Sequence, residues 1–324
     1  MKITTVYSDA HTDSARRWLT PAPELFTGII PDQYSDDISG GISYDKVSVV
    51  IPTLNEASNL STVLTALPET IGEIIIVDGG STDGTPEVAR MLRNDVILIH
   101  QRGRGKGNAL VQGFEKASGQ IIVMLDADGS TDPREISRFL KKLCTEKADF
   151  VKGSRYMDGG GSEDITFLRK FGNTALRILV NACYGTSFTD LCYGYCAFYR
   201  NCLPALQLTP TSVSDDRVGS DMRLGDGFEI ETLLCIKAAC AGLNIAEVPS
   251  FELRRGSGAS NLHVVRDGLR VLRVILGNLF NRNRSAKVVD APVDKEISRW
   301  PIDPDYSHVA IEQSLSELHP EVVL

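Results

Sequence analysis

The sequence predicts an α/β protein with a mostly parallel central sheet flanked by helices. Three features predict it. Short runs rich in β-branched residues recur at regular intervals, segments of helical spacing separate them, and the runs are apolar throughout, as strands buried on both faces are. An arm at 1–45 precedes this domain, which spans 46–261. An amphipathic helix at 262–284 and an acidic tail at 285–324 follow it.

The arm has little periodicity and several breakers, among them Pro21, Pro23, Pro31, Gly40 and Gly41. The pattern changes at Lys46-Val-Ser-Val-Val-Ile-Pro52, a buried strand. Residues 57–67 have helical spacing. Ile74–Asp78 is a second strand, and Ser81 and Thr82 are placed to cap a helix running to about Leu92. Val96–His100 is a third strand and 107–117 a helix. Gln120–Asp126 is a fourth strand. Pro133 suits the first turn of a helix to about Cys144. Further on, 166–183 and 227–241 have helical spacing, Cys196–Arg200 reads as a strand, and 209–226 as a polar loop. Ala246–Arg254 reads as an edge strand because it contains Pro249.

Composition narrows the function classes. The chain has 324 residues, 42% hydrophobic and 23% charged, which is ordinary for a globular protein. The net charge of −8 resides in the ends: 1–45 carries 3 basic and 7 acidic side chains, and 285–324 carries 3 and 8. No basic field marks a nucleic-acid binder. No apolar run reaches the roughly 18 residues of a membrane span, and the first residues lack the apolar core of a signal peptide. Seven cysteines without a CxxC pair read as free thiols of a reducing cytoplasm, and the spacing of Cys192, Cys196 and Cys202 speaks against a zinc site.

Ligands of parallel sheets bind beyond the carboxyl ends of the strands. Carboxylates gather there: Glu56 past the first strand, Asp78 at the second, Asp126 and Asp128 at the fourth. No GxGxxG turn follows the first strand, and no Ser or Thr follows Lys106 in GRGKGN, so hydride transfer and P-loop chemistry lack their signatures. Two carboxylates two residues apart, Asp126 and Asp128 in Leu125-Asp-Ala-Asp-Gly-Ser130, can hold a divalent cation together with diphosphate oxygens. An acidic turn capping the helix at Pro133 accounts for the same pair without a metal.

Val49-Val-Ile-Pro-Thr-Leu-Asn-Glu56, Ile76-Val-Asp-Gly-Gly-Ser-Thr-Asp-Gly-Thr85, Gly105-Lys-Gly107 and Asp126-Ala-Asp128 occur in this order. Together they resemble the family 2 inverting glycosyltransferases of the GT-A type, a Rossmann-like domain, over about residues 46–281. Gly153-Ser-Arg155, Thr189-Asp190, Gly194-Tyr195, Gly227-Phe-Glu-Ile-Glu231, Arg255, Gly258–Leu262 and Asp267–Leu272 are most similar to the dolichyl- or polyprenyl-phosphate mannosyltransferase branch. The resemblance implies Mg²⁺ or Mn²⁺ and a nucleoside diphosphate sugar donor. Pro52, Thr53 and Glu56 would line the nucleotide pocket, with Asp78 on the base and Ser81 supporting its turn. Lys106 would lie near the nucleotide. Asp126, Ala127 and Asp128 would meet ribose, diphosphate and metal. Arg155 and Arg255 would face the diphosphate or an acceptor phosphate.

A hydroxyl acceptor needs a general base, whereas a phosphate acceptor, already anionic, does not. Asp190, Asp226, Glu229 and Glu231 are the candidates for a base, with Glu229 favoured as the first acid of its motif. Pairing of Glu229 with Arg155 or Arg255 is the alternative. His263 could reach the metal or the acceptor. Asn261 stands where many polyprenyl-phosphate enzymes have Lys, and the membrane spans many of them carry are absent from this sequence.

In the segment 262–281, Arg266, Arg270 and Arg273 share one side, and Val265, Leu269, Leu272, Leu276 and Leu279 another. This admits a peripheral contact with a membrane interface, packing on the domain core, or a homodimer contact. The expected location is cytoplasmic, peripheral at the inner face of the membrane if the first holds. The expected activity is metal-dependent inverting transfer of a hexosyl group to a polyprenyl phosphate or a glycan or small-molecule hydroxyl. A sugar nucleotidyltransferase and a catalytically silent nucleotide-sugar-binding subunit are the alternatives.

Overall fold

The computed structural model describes residues 43–208, 222–258 and 262–285. Most of the arm at 1–45, most of the polar loop at 209–226, Ser260, Asn261 and the tail after Ser285 lie outside the described residues.

Eight helices and nine strands form the described domain. In chain order they are β1 (Val47–Thr53), α1 (Ala57–Ala66), β2 (Glu73–Asp78), α2 (Thr85–Leu92), β3 (Ile97–His100), α3 (Lys106–Lys116), β4 (Ile121–Met124), α4 (Ile136–Thr145), β5 (Phe150–Ser154), β6 (Gly161–Ser162), α5 (Phe167–Tyr184), β7 (Cys196–Tyr199), α6 (Leu203–Leu206), α7 (Ile230–Cys240), β8 (Ile245–Pro249), β9 (Phe251–Glu252) and α8 (Val264–Ser285). Short 3₁₀ turns precede β1, α4 and α6.

Seven strands make one sheet in the order β3-β2-β1-β4-β7-β5-β8. All of its pairings are parallel except those of β7, which runs against β4 and β5. The predicted edge strand at Ala246 is indeed at an edge, beside β5. Strand β5 was not among the predicted strands, and β6 and β9 form a separate two-stranded ribbon.

The alternation along β1 sets the two faces. Val47, Val49 and Ile51 pack with α1, α2 and α4 on one side, while Val50 packs with α3 and α7 on the other. Burying such side chains stabilises the fold by roughly 1.5–3 kcal/mol each. A third cluster joins α5, α7 and α8 through Val180, Tyr184, Ile236, Val271, Val274 and Ile275. The Tyr184 hydroxyl donates to the Ile275 carbonyl at 2.6 Å, pinning α5 to α8.

Helix α3 begins at the strand ends because residue 226 caps it. The N–H groups of Gly107 and Asn108 donate to the Asp226 carbonyl at 2.7 and 3.1 Å. A Cβ at Gly107 would lie 1.9 Å from the Gly225 carbonyl oxygen, so only glycine permits this approach. Lys106 is thereby fixed at the carboxyl edge of the sheet.

Candidate active site

The sheet's carboxyl edge carries two clusters in which a cation sits between carboxylates. In the first, Lys106 Nζ lies 2.6 Å from Asp126 Oδ1 and 2.7 Å from Glu231 Oε1. In the second, Arg255 Nη1 lies 3.0 Å from Asp128 Oδ2, and Nη2 pairs with Glu56. Asp126 and Asp128 follow directly on β4, so the sequence spacing of the two acids places one in each cluster.

Local hydrogen bonds hold these residues. Thr131 Oγ1 accepts from the Asp126 N–H at 3.2 Å, and Asp128 Oδ1 accepts from the Ser130 N–H at 2.9 Å. Asn59 Nδ2 donates to Glu56 Oε2 at 2.6 Å. Burial pushes the Asp126 carboxyl up to about 6, with Lys106 opposing and Asp128 and Glu231 reinforcing the rise. Burial alone would lower Lys106; the Asp126 and Glu231 charges override it and hold the ammonium protonated. Glu56 is also raised by burial, which Asn59 and Arg255 only partly offset. Such displaced titrations are common at functional sites.

The third predicted element of the site is a turn. Asp78 is buried; its Oδ2 accepts from the N–H groups of Gly80 and Ser81 at 3.1 and 3.0 Å, and its Oδ1 from Thr53 Oγ1 at 3.3 Å. Ser81 Oγ accepts from the Asn55 N–H at 2.8 Å, tying the β1 and β2 loops together. Pro52 precedes Thr53 on β1, and Ala127 is buried between the two acids.

Several predicted residues stand elsewhere. Arg155 does not face the open edge. Its Nε and Nη2 donate to Asp190 at 2.7 and 3.0 Å, its Nη1 to Glu252 at 3.0 Å, and Nη2 also to the Cys192 carbonyl at 3.2 Å. Asp190 is fully buried and takes a further bond from Asn173 Nδ2 at 3.0 Å. Burial alone would raise Asp190, but Arg155 more than compensates and its carboxyl is lowered. A carboxylate so enclosed is poorly placed to meet an acceptor proton.

Glu229 is likewise turned inward. It accepts from the N–H groups of Gly225 and Gly227 at 2.9 and 3.2 Å, and from Arg270 Nη2 at 2.5 Å and Nε at 2.9 Å. Burial works to raise it, and Arg270 with the backbone donors brings it below the usual range. Its partner is therefore Arg270 rather than Arg155 or Arg255. Helix α7 begins at Ile230, so Glu229 stands at its cap and Glu231, two residues on, reaches Lys106 instead. Asp226 is half-buried and raised by burial. The His263 side chain is exposed, and its N–H donates to Asp267.

Gly194, which the sequence offers only as part of a motif, closes the first cluster. A Cβ there would lie 2.7 Å from Asp126 Oδ2, 2.8 Å from Lys106 Nζ and 3.0 Å from Glu231 Oε1. Gly194→Ala is expected to cost roughly 10- to 100-fold in kcat/KM, because a displacement near 1 Å at reacting groups has effects of that size. Steady-state kinetics alongside a melting curve checks this: a folded alanine variant of unchanged kcat/KM would remove Gly194 from the site.

The sequence profile described as "Glycosyl transferase family 2" matches residues 48–203. The glycosyltransferase AglJ of Haloferax volcanii is 33% identical over 69% of this chain and 69% of its own length. This chain belongs to glycosyl transferase family 2. Another relative of this glycosyltransferase, the low-salt glycan biosynthesis hexosyltransferase Agl6 of Haloferax volcanii, is 29% identical over 72% of the chain. The match spans 53% of that relative's length. Among solved structures, glucosyl-3-phosphoglycerate synthase from Mycobacterium tuberculosis, crystallised with Mn²⁺, UDP-glucose and phosphoglyceric acid, shares the fold. The TM-score is 0.55 and the identity 22%, over 72% of this glycosyltransferase and 79% of that chain. The match to the family runs through β1 to α6 and so includes Glu56, Asp78, Lys106, Asp126 and Asp128, while Glu231 and Arg255 lie beyond it.

Proposed function

We propose that this glycosyltransferase moves a hexosyl group, with inversion, from a nucleoside diphosphate sugar to the phosphate oxygen of a polyprenyl phosphate. The observation that carries the donor half is the pair of cation–carboxylate clusters at one sheet edge. Lys106 and Arg255 are the positive groups there, and Asp126 and Asp128 the negative ones.

The carboxylate pair suits a hard divalent cation, Mg²⁺ or Mn²⁺, since both supply the carboxylate oxygens such cations prefer. Among the described residues no group of three or more His, Cys, Asp and Glu side chains converges on a metal position. The remaining ligands would come from diphosphate oxygens. A cation held by Asp126 and Asp128 would offset charge building on the departing nucleoside diphosphate.

The chain's own groups orient the donor. Pro52, Thr53 and Glu56 line the nucleotide side, and Asp78 takes the base from the floor of the β2 turn that Ser81 braces. Lys106 exchanges one of its two carboxylate partners for the diphosphate. Arg255 offers the planar fork that pairs with phosphate in two-point fashion. Its present partners at that edge are Glu56 and Asp128. Glu231 steers Lys106 through that exchange.

A phosphate acceptor is favoured by what Asp190 and Glu229 do: each is spent on a buried arginine pairing, so neither is free to deprotonate a hydroxyl. An anionic oxygen attacks the anomeric carbon from the face opposite the diphosphate without such help. One observation favours a second reading. Asp226 is half-buried and its carboxyl is raised, as a base for a hydroxyl acceptor would be. Asp226→Asn separates the two. With polyprenyl phosphate as acceptor, less than about a threefold change in kcat is expected. A loss of about 10²–10⁴-fold in transfer to a glycan hydroxyl that the parent glycosylates, the usual contribution of a general base, would establish the hydroxyl reading.

The activity itself is tested by incubating the chain with nucleoside diphosphate sugars, Mn²⁺ or Mg²⁺, and a short polyprenyl phosphate. Release of nucleoside diphosphate with formation of glycosylated lipid is expected. With a nucleoside triphosphate and a sugar 1-phosphate supplied instead, formation of a nucleoside diphosphate sugar with release of pyrophosphate would make the protein a nucleotidyltransferase. Binding without turnover, including donor hydrolysis, would make it a binding subunit.

A further inference from the structure

Helices α5 and α8 share an internal core but are apolar on the opposite side as well. Inward, α5 presents Val180 and Tyr184, and α8 presents Val271, Val274 and Ile275. Outward, α5 presents Phe167, Leu168, Phe171 and Ile178, which are 86%, 57%, 65% and 58% exposed. Outward, α8 presents Val265, Leu269, Leu276 and Phe280, at 71%, 51%, 38% and 65%. These eight are the majority of the thirteen exposed large hydrophobic side chains among the described residues. The spacing of Phe167, Phe171 and Ile178, and of Val265, Leu269, Leu276 and Phe280, keeps each set on one stripe of its helix. Isolated exposed apolar residues are ordinary, but two such stripes on neighbouring helices mark an interaction surface.

The charge beside these stripes identifies the partner. The α5 segment has three basic and no acidic residues, and the α8 segment five arginines and one aspartate, in a chain of net charge −8. Lys170, Arg266 and Arg273 are exposed next to the apolar stripes. The acids nearby are spoken for: Asp267 is buried and binds Arg266 and the His263 N–H, and Asp164 binds Arg169. A second copy of this chain would bring like charges together across such a face, which is unfavourable. A bilayer carrying anionic headgroups offers an apolar layer for the stripes and negative charge for the flanking cations, whose long stems reach the headgroups while their heads stay wet. No described helix is long and apolar enough to cross a membrane, so the contact is one of lying on the surface.

The geometry points to an anionic lipid surface as the partner of the outward stripes of α5 and α8. The contact stands apart from the acceptor reading, although it would bring a lipid-borne acceptor to the same edge. Arg270 of α8 is the link, since it holds the Arg223 carbonyl and also Glu229, which lies two residues before Glu231.

Co-sedimentation of the full chain with vesicles tests this without substrate. Vesicles of phosphatidylcholine with phosphatidylglycerol are expected to carry down most of the protein, and phosphatidylcholine alone little of it. Binding should weaken as salt is raised, because the Debye length shortens from about 10 Å at 0.1 M to about 3 Å at 1 M. Phe171→Glu with Leu269→Glu should reduce the bound fraction at least tenfold, with donor hydrolysis in detergent unchanged. Arg273→Glu, which keeps the apolar stripe, should weaken binding to the anionic vesicles alone. Failure to bind either vesicle would overturn the inference. If light scattering then showed a dimer that Leu269→Glu dissociates, the face would belong to a second copy. Because vesicle binding and donor hydrolysis are read separately, loss of one leaves the other to be judged by itself.

Discussion

Asp128→Ala is expected to lower kcat/KM for glycosyl transfer by on the order of 10³-fold, with the fold intact. The figure follows from the several kcal/mol that a positioned cation supplies to a leaving diphosphate, each 1.36 kcal/mol being tenfold in rate. The side chain lies at the open edge, and its losses on truncation are one ion pair with Arg255 and one bond from the Ser130 N–H. Partly exposed pairs of that kind contribute little, about 1 kcal/mol or less, so the melting temperature should move by only a few degrees. Arg255 would keep Glu56 as a partner. Asp128→Asn, which preserves shape and removes charge, should lose nearly as much activity as alanine. Calorimetric titration with donor and Mn²⁺ should show binding that no longer depends on the metal. A fully active, folded Asp128→Ala variant would end the metal role of this residue.

Asp190→Ala should act on stability rather than chemistry, and strongly. Arg155 and Asp190 are buried side by side, and Arg155 also lies over the Tyr193 ring with its guanidinium carbon 4.8 Å from the ring centre. Removing one member of a buried pair strands the other charge, at a cost of about 3–5 kcal/mol. For a domain of this size that is a drop of roughly 10 °C in melting temperature. Replacing both partners by apolar residues, Asp190→Leu with Arg155→Met, should recover much of the loss, which separates pairing from packing. The pH dependence has a definite sign. The folded carboxyl is lowered, so its contribution is fully present above the ordinary aspartate value of 3.8 and is lost as pH falls through the folded value below it. The variant should therefore show a flatter decline in stability under acid than the parent. A parent-like melting temperature at pH 7 would count against the pairing.

Much of the carboxyl-edge cluster is legible in the sequence, because it depends on local order. A strand of β-branched residues ends, an acid follows, and the sheet edge collects those acids; Glu56, Asp78, Asp126 and Asp128 all arrive in this way. The rest depends on contacts between distant segments. Arg155 lies in a motif that invites a phosphate, but its carboxylate partner is 35 residues away and reaches it only through the fold. Glu229 and Glu231 are equally acidic in sequence, and where α7 starts decides which meets Lys106. Strand β5 escapes periodicity because Lys152, Gly153 and Ser154 interrupt its apolar run; Lys152 is nonetheless buried, its ammonium on the Tyr193 carbonyl. In α8 the stripe of Val265, Leu269, Leu272, Leu276 and Leu279 is the one visible to a sequence pattern. Val271, Val274 and Ile275 form the face that is buried, and Leu279 packs against it. With two apolar stripes on one helix, periodicity alone does not choose between them.

The reversed strand β7 brings a second chain direction to the carboxyl edge of the sheet. Up to β4 the site is assembled by successive strand-to-helix loops. Then the chain leaves the sheet after β5, runs through β6 and α5, and returns antiparallel as β7, delivering Gly194 to the same edge from the opposite direction. Residues 155–195 thus form one excursion whose ends lie on neighbouring strands. The closure of Gly194 over Asp126, Lys106 and Glu231 is therefore set by the end of a long excursion and not by a strand-to-helix loop.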